Sequence, residues 1–277
     1  MSEPPSTEEI LAEVERRRAA RDAEARTPTR PLSVTERRFV LAADRVIFFV
    51  SRHWLVIFNL AALLYIGLSV LAPVLMHLGV ERPGQAIYAM YAPLCHQLPD
   101  RSFFLFGPRL AYSYEEMWEL VGAEGVTPHG FIGSPELGYK IALCQRDVGI
   151  YSMILLAGLA YGLVRKRLRP LPFWAYILFG IVPIGVDGGL QMLFGRRGLF
   201  SGLPARTIPW LSIQMLESGP VRRIVTGALF GLATIWLAYP YVEEAFVEIR
   251  KTLEQRFGDY QMAIEIAGTQ AEWRESP

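Results

Sequence analysis

The apolar positions of this chain are gathered into four long runs separated by polar or mixed stretches. Trp54 to Leu78, Ala142 to Val164, Leu171 to Phe194 and Val221 to Val242 each approach or exceed the about 20 residues an α-helix needs to cross the hydrocarbon core of a bilayer. Four transmembrane helices are therefore predicted. The third run is softened by Gly180, Pro183, Gly185, Gly188 and Gly189. Ahead of the first, Phe39, Val40, Leu41, Val46, Ile47, Phe48 and Phe49 are interleaved with Arg37, Arg38, Arg45 and Arg52, which predicts an amphipathic helix over 37–53 lying in the membrane interface.

Between these runs the chain changes character. Residues 1–36 are polar; Ser6 and Glu9 have the spacing of a capping box, so a solvated helix through Arg21 and a flexible linker with Pro28 and Pro31 are expected. Residues 79–141 form a long connection holding a short apolar piece, Ala86 to Leu94, and a Cys95-His96-Gln97 turn bracketed by Pro93 and Pro99. An amphipathic helix is expected from Tyr114 to Val121. Residues 195–220 form a second outer connection, and 243–277 a charged, partly helical tail with a break at Gly258. The fold class is all-α: a four-span membrane bundle over 54–242 between a cytoplasmic polar extension and a cytoplasmic tail.

Composition agrees with that pattern. Of 277 residues 52% are hydrophobic, and the net charge of +1 gives no reason to expect a nucleic acid partner. Two cysteines allow one disulfide at most. No basic leader with a short apolar core and a cleavage site precedes the first run, so that run is expected to stay as an anchor. The basic turn Arg165-Lys166-Arg167-Leu168-Arg169 is the strongest indicator of orientation; it places both termini in the cytoplasm of a multi-pass cell-membrane protein.

That topology brings the polar residues of the spans to the outer face. Cys95, His96, Cys144, Arg146, Asp147, Asp187 and Gln191 all fall there, with Asp187 roughly 10 Å below the membrane edge and Gln191 one helical turn further on. Ionisable groups at such depth are costly without partners.

The pieces Cys95-His96-Gln97 with Pro99-x-Arg101-Ser102, Cys144-x-Arg146-x-x-Gly149-Ile150-Tyr151, Asp187-Gly188-x-x-Gln191 and Arg223-x-x-Thr226-Gly227 resemble a prokaryotic membrane protein family, domain of unknown function 2085. The resemblance covers roughly residues 88 to 235, and together the pieces are specific although each alone is weak. It implies a multi-span architecture and no particular activity. Two departures stand out: Asp147 occupies a position where some relatives have another cysteine, and the connections 106–140 and 195–220 are longer.

Three chemistries fit the cluster. Cys95, His96, Cys144 and Asp147 are admissible ligands for zinc or another transition metal. An anionic lipid headgroup or phosphate group would be held by Arg101, Arg146 and Arg223. Catalysis, the sharper form of this reading, would use Asp187 and Gln191 to orient groups or accept protons. Alternatively Cys95 and Cys144 form a disulfide on an oxidising face. In the third reading the Arg and Asp residues are an ion-pair network in a structural or transport protein. The pairs Gly227/Gly231 and Gly158/Gly162 predict close helix packing within one subunit. No phosphate-binding Gly-Lys-Ser loop, dinucleotide fingerprint, His-Glu-x-x-His helix or Gly-x-Ser-x-Gly elbow is present.

Overall fold

The computed structural model describes residues 16, 34–165, 167–195, 197–200 and 218–275, with side chains as far as Gly258. Ser6, Glu9, Arg21, Pro28, Pro31 and Lys166 lie outside the described residues. The chain divides into two compact units, Met1–Phe49 and Val50–Pro277. The first is described only at Arg16 and from Val34 onward, where it is helical. Apart from the start of the first helix, everything below concerns the second.

Among the described residues, four helices are long and apolar enough to cross a membrane. Helix α1 covers Val34–His77, α4 covers Gln145–Val164, α5 covers Phe173–Phe194, and α6 covers Pro220–Glu275. In their most apolar windows only 17–33% of residues are buried inside the protein. Leu156, Leu159, Leu163, Phe179, Val186 and Met192 instead point outward. Apolar side chains facing away from the protein along four spans require a lipid solvent.

Several boundaries differ from those predicted. The interfacial segment 37–53 and the first span share one helix, because no Gly or Pro stands between Arg45 and Trp54. The second span begins at Gln145, not Ala142: Ile141, Ala142 and Leu143 end strand β3 (Gly138–Cys144). A short apolar run reads alike as helix or buried strand, and these three are nearly solvent-free. The helix of α6 also runs through Gly258, where a break was expected.

Helix α5 carries a π-helical turn over Ile177–Ile181, immediately before Pro183. Pro183 has no N–H for the carbonyl four residues back, and the wider turn accommodates that loss. One added residue rotates everything after it by about 100°, which helps turn Asp187 and Gln191 toward α4 and α6.

The connection 79–144 is a small subdomain at one end of the bundle. It contains α2 (Glu81–Tyr91), a 3-10 turn Pro99–Arg101, β1 (Ser102–Leu105), α3 (Tyr114–Gly125), β2 (Gly133–Ser134) and β3. The antiparallel sheet has the order β1-β3-β2, with Ser102 opposite Cys144. Ser113, the N-cap, and Glu116 cap α3 reciprocally, which sets its start at Tyr114. Phe104, Tyr112, Met117 and Val126 form its core. A second core joins it to the bundle through Ala72, Tyr88, Tyr91, Cys95, Phe103 and Ile141–Leu143.

At the opposite end of the bundle Trp54, Tyr161, Ile235 and Tyr239 form a third core. Between the two ends, α4 and α6 pack through glycines. A Cβ on Gly227 would lie 2.4 Å from the Arg146 carbonyl oxygen, one on Gly231 2.5 Å from that of Ile150, and one on Gly149 2.6 Å from that of Ile224. The Gly227/Gly231 pair thus packs within the subunit, as the sequence predicts.

Candidate functional site

The N-terminal end of α4 organises the polar groups. Cys144, Gln145, Arg146 and Asp147 are consecutive, and with successive helical residues turned by about 100° they face different neighbours. Cys144 stands at the N-cap position with extended backbone, and Asp147 lies in the first turn, where a carboxylate is favoured by the helix dipole.

Cys144 and Asp147 meet Cys95. The two sulfurs and an Asp147 oxygen lie within 4.8 Å of one another, the Cys144 sulfur 3.1 Å from Asp147 Oδ2. Both cysteines are free. One S–H on Cys144 faces two acceptors, the Cys95 sulfur and the Asp147 carboxylate. Donation to Cys95 lowers the Cys95 thiol below its usual range, assisted by the Gln97 N–H at 3.5 Å. The same bond, with burial and the Asp147 charge, raises Cys144 well above its usual range.

The turn presenting Cys95 is held from several sides. Gln97 is nearly solvent-free and has a left-handed φ of 49°, a conformation that costs a non-glycine residue about 1 kcal/mol. Its amide donates to the Tyr88 carbonyl at 2.8 Å, and its carbonyl accepts from Lys140 Nζ at 2.6 Å. Lys140, on β3, has no solvent exposure, and burial pushes its ammonium down to about 8 despite the nearby Cys95 and Asp100. His96, next to Cys95, has an exposed side chain and stands outside the thiol–carboxylate group among the described residues. Its carbonyl accepts from the His129 N–H.

Arg146 turns the other way, into a knot around Asp187. Asp187 accepts from Arg146 at 2.6 Å, Arg222 at 2.7 Å, Ser218 at 2.8 Å and the Thr226 hydroxyl at 3.4 Å. Gln191 lies at the edge, 3.5 Å from Arg146. Gly188 makes room for this guanidinium, since a Cβ there would sit 3.0 Å from Arg146 Nη1.

Gln145 turns toward the subdomain, donating to the Ser102 carbonyl at 3.1 Å and accepting from Arg223 at 2.9 Å. Arg223 also reaches the Asp100 carbonyl at 3.3 Å. The Asp100 carboxylate is gripped by both terminal nitrogens of Arg197, at 2.9 and 3.0 Å, and lies 3.7 Å from Arg101. Arg197 also stacks over the Tyr114 ring at 4.7 Å. A cleft of about 550 Å³ opens here, lined by Asp100, Tyr112, Tyr114, Ser218 and Arg223 among others.

The predicted residues therefore separate into a thiol–carboxylate trio, a knot at Asp187, and a latch from Arg223 and Arg197 to Asp100. The sequence reading missed Gln145, Lys140, Ser218 and the Arg197–Asp100 pair. Gln145 had a visible signal, as an uncharged polar residue between Cys144 and Arg146 at the mouth of a span. Ser218 had none, and Arg197, one of the arginines that fall near the ends of the spans, gave no indication of its partner Asp100 97 positions away.

Residues 136–237 match the family described as Predicted membrane protein (DUF2085). That stretch runs from the start of β3 to Leu237 in α6 and so includes Cys144, Arg146, Asp187 and Arg223. Over 155 residues the chain is 25% identical to Uncharacterized protein MJ1492 of Methanocaldococcus jannaschii, covering 56% of this chain and 67% of the relative. No solved structure matches it. The chain is a multi-span membrane protein similar to a family without an assigned activity.

Proposed function

We propose that Cys95, Cys144 and Asp147 hold a transition metal, zinc by the chemistry of its donors, at the outer face of the membrane. The observation that carries this reading is the convergence of two thiols and a carboxylate within 4.8 Å. Donors around a tetrahedral zinc stand about 3.6 Å apart, so closing the trio onto an ion needs only a small contraction. Donation from Cys144 holds the Cys95 thiol below its usual range, the direction that favours a metal-binding thiolate. Three protein donors leave one position for water or a substrate atom. A polarised ligand at that position is the chemistry a catalytic form of this site would use.

The metal reading is better supported than an anion at the same end. Each arginine assigned to hold an anion already has an acceptor: Arg146 has Asp187, Arg223 has Gln145, and Arg101 has Asp100. Asp187, bonded to two guanidiniums, reads as the anchor of α4, α5 and α6 and not as a proton acceptor. The basic turn at 165–169 supports an orientation with the trio outside and both termini in the cytoplasm.

The test is elemental analysis of the full chain purified in detergent, paired with thiol counting under denaturing, non-reducing conditions. About one metal per chain, lost in Cys144→Ser, with both thiols reactive after chelation, is the expected result. No metal and no reactive thiol would instead mean a Cys95–Cys144 disulfide and would end the metal reading.

A further inference from the structure

The opposite end of the bundle carries a second charged cluster, which the outer-face chemistry does not use. Glu243 on α6 accepts from the Trp54 indole N–H at 2.7 Å, from Arg165 at 2.5 Å and from Arg250 at 3.2 Å. Arg250 also donates to the Ser51 carbonyl. Arg52, Arg165, Glu243, Val247 and Arg250 line a cleft of about 630 Å³. Arg52 is exposed and makes no hydrogen bond or ion pair among the described residues.

The charge balance separates this place from the outer end. Three guanidiniums face one carboxylate, leaving the cleft two positive charges in excess; the exposed Glu244 and Glu248 do not line it. At Asp187 and at Asp100, by contrast, two arginines share one carboxylate. Depth points the same way. Helix α4 has 20 residues, about 30 Å, so with its first residue at one membrane edge Arg165 stands at the other, at the level of headgroup phosphates. Trp236, whose indole N–H donates to the Arg169 carbonyl at 3.1 Å, lies near the same level, where amphipathic rings are favoured.

We infer that Arg52, Arg165 and Arg250 form a binding site for a phosphate oxyanion, supplied by the headgroup of an anionic phospholipid. Arg165 and Arg250 are prealigned by Glu243, and Arg52 brings a guanidinium with unfilled donors. The carboxylate thus orients two of the three cations without neutralising the cleft.

Native mass spectrometry of the full chain with phosphatidylglycerol and with phosphatidylcholine tests the site, with thermal shift in inorganic phosphate as a second arm. The expected result is a preference for phosphatidylglycerol that falls about fivefold in Arg52→Gln. Because Arg52 holds no part of the fold among the described residues, that loss is separable from misfolding, which Arg165→Gln would not guarantee. Stabilisation by inorganic phosphate that Arg52→Gln abolishes, without lipid preference, would keep the oxyanion site and assign it a soluble ligand. Equal binding of both lipids with no phosphate effect, or a preference unchanged by Arg52→Gln, overturns it.

Discussion

Arg146 and Asp187 belong to different spans, yet a guanidinium nitrogen of one lies 2.6 Å from a carboxylate oxygen of the other. The Asp187 side chain is only 4% exposed and Arg146 21%, so neither charge is left to water. Removing the carboxylate strands Arg146 in a low-dielectric site, at a cost of about 3–5 kcal/mol. Arg222, the other partner, is 47% exposed and its loss should cost no more than about 1 kcal/mol. Thermal midpoints in detergent should therefore drop far more for Asp187→Ala than for Arg222→Gln. Equal drops would remove the anchoring role given to Asp187.

The glycine contacts between α4 and α6 make a separate claim about how closely the spans approach. A methyl on Gly227 would press on the Arg146 carbonyl, whereas one on Gly185 would meet nothing within 4 Å. Gly227→Ala is expected to destabilise by about 1–3 kcal/mol. Gly185→Ala, in an open helical position, should be neutral or stabilising by up to about 1 kcal/mol. Unfolding in mixed detergent would compare the two; matched stabilities would mean the helices stand further apart.

The contrast between these sites shows what sequence can and cannot carry here. The four spans were legible because a bilayer demands long apolar runs, and Gly227 and Gly231 announced their packing by spacing alone. The start of α4 was misplaced because Ile141, Ala142 and Leu143 are apolar for a different reason, burial in a strand against Phe103. Topology puts Cys95, Cys144 and Asp147 at one end of the bundle, and the structure brings their donor atoms within 4.8 Å of one another. His96 is an admissible imidazole donor by type, but the turn that buries Cys95 directs it outward. A lysine before a span ordinarily reaches solvent, and only the fold reveals that the Lys140 ammonium ends on the Gln97 carbonyl.

That difference between His96 and Asp147 gives a direct test of the ligand set. With His96 exposed and outside the trio, His96→Ala should leave metal stoichiometry near that of the unaltered protein. Asp147→Asn removes a charged donor 3.1 Å from Cys144. Even losses outside the ligand shell cost about 10–100-fold in affinity, so this one should cost at least as much. Competition with a chelator of known affinity measures both. A larger loss in His96→Ala than in Asp147→Asn would reverse the assignment.

Lys140 predicts a pH dependence with a definite sign. In the folded chain its ammonium releases its proton near 8, because burial penalises the charge, whereas the unfolded side chain holds its proton to the ordinary 10.5. Between those values the unfolded state binds more protons, so this residue makes stability rise as pH increases from about 8 toward 10.5. Below pH 8 both states are protonated and the full penalty, up to about 3 kcal/mol, persists. Lys140→Met removes the titration while leaving the Gln97 carbonyl without its Lys140 donor. Other titrating groups, tyrosines included, are common to both proteins and cancel in the difference. The stability of the unaltered protein minus that of Lys140→Met should therefore climb between pH 8 and 10.5 and stay flat below. Parallel curves across that window would mean that Lys140 is solvated in the folded protein.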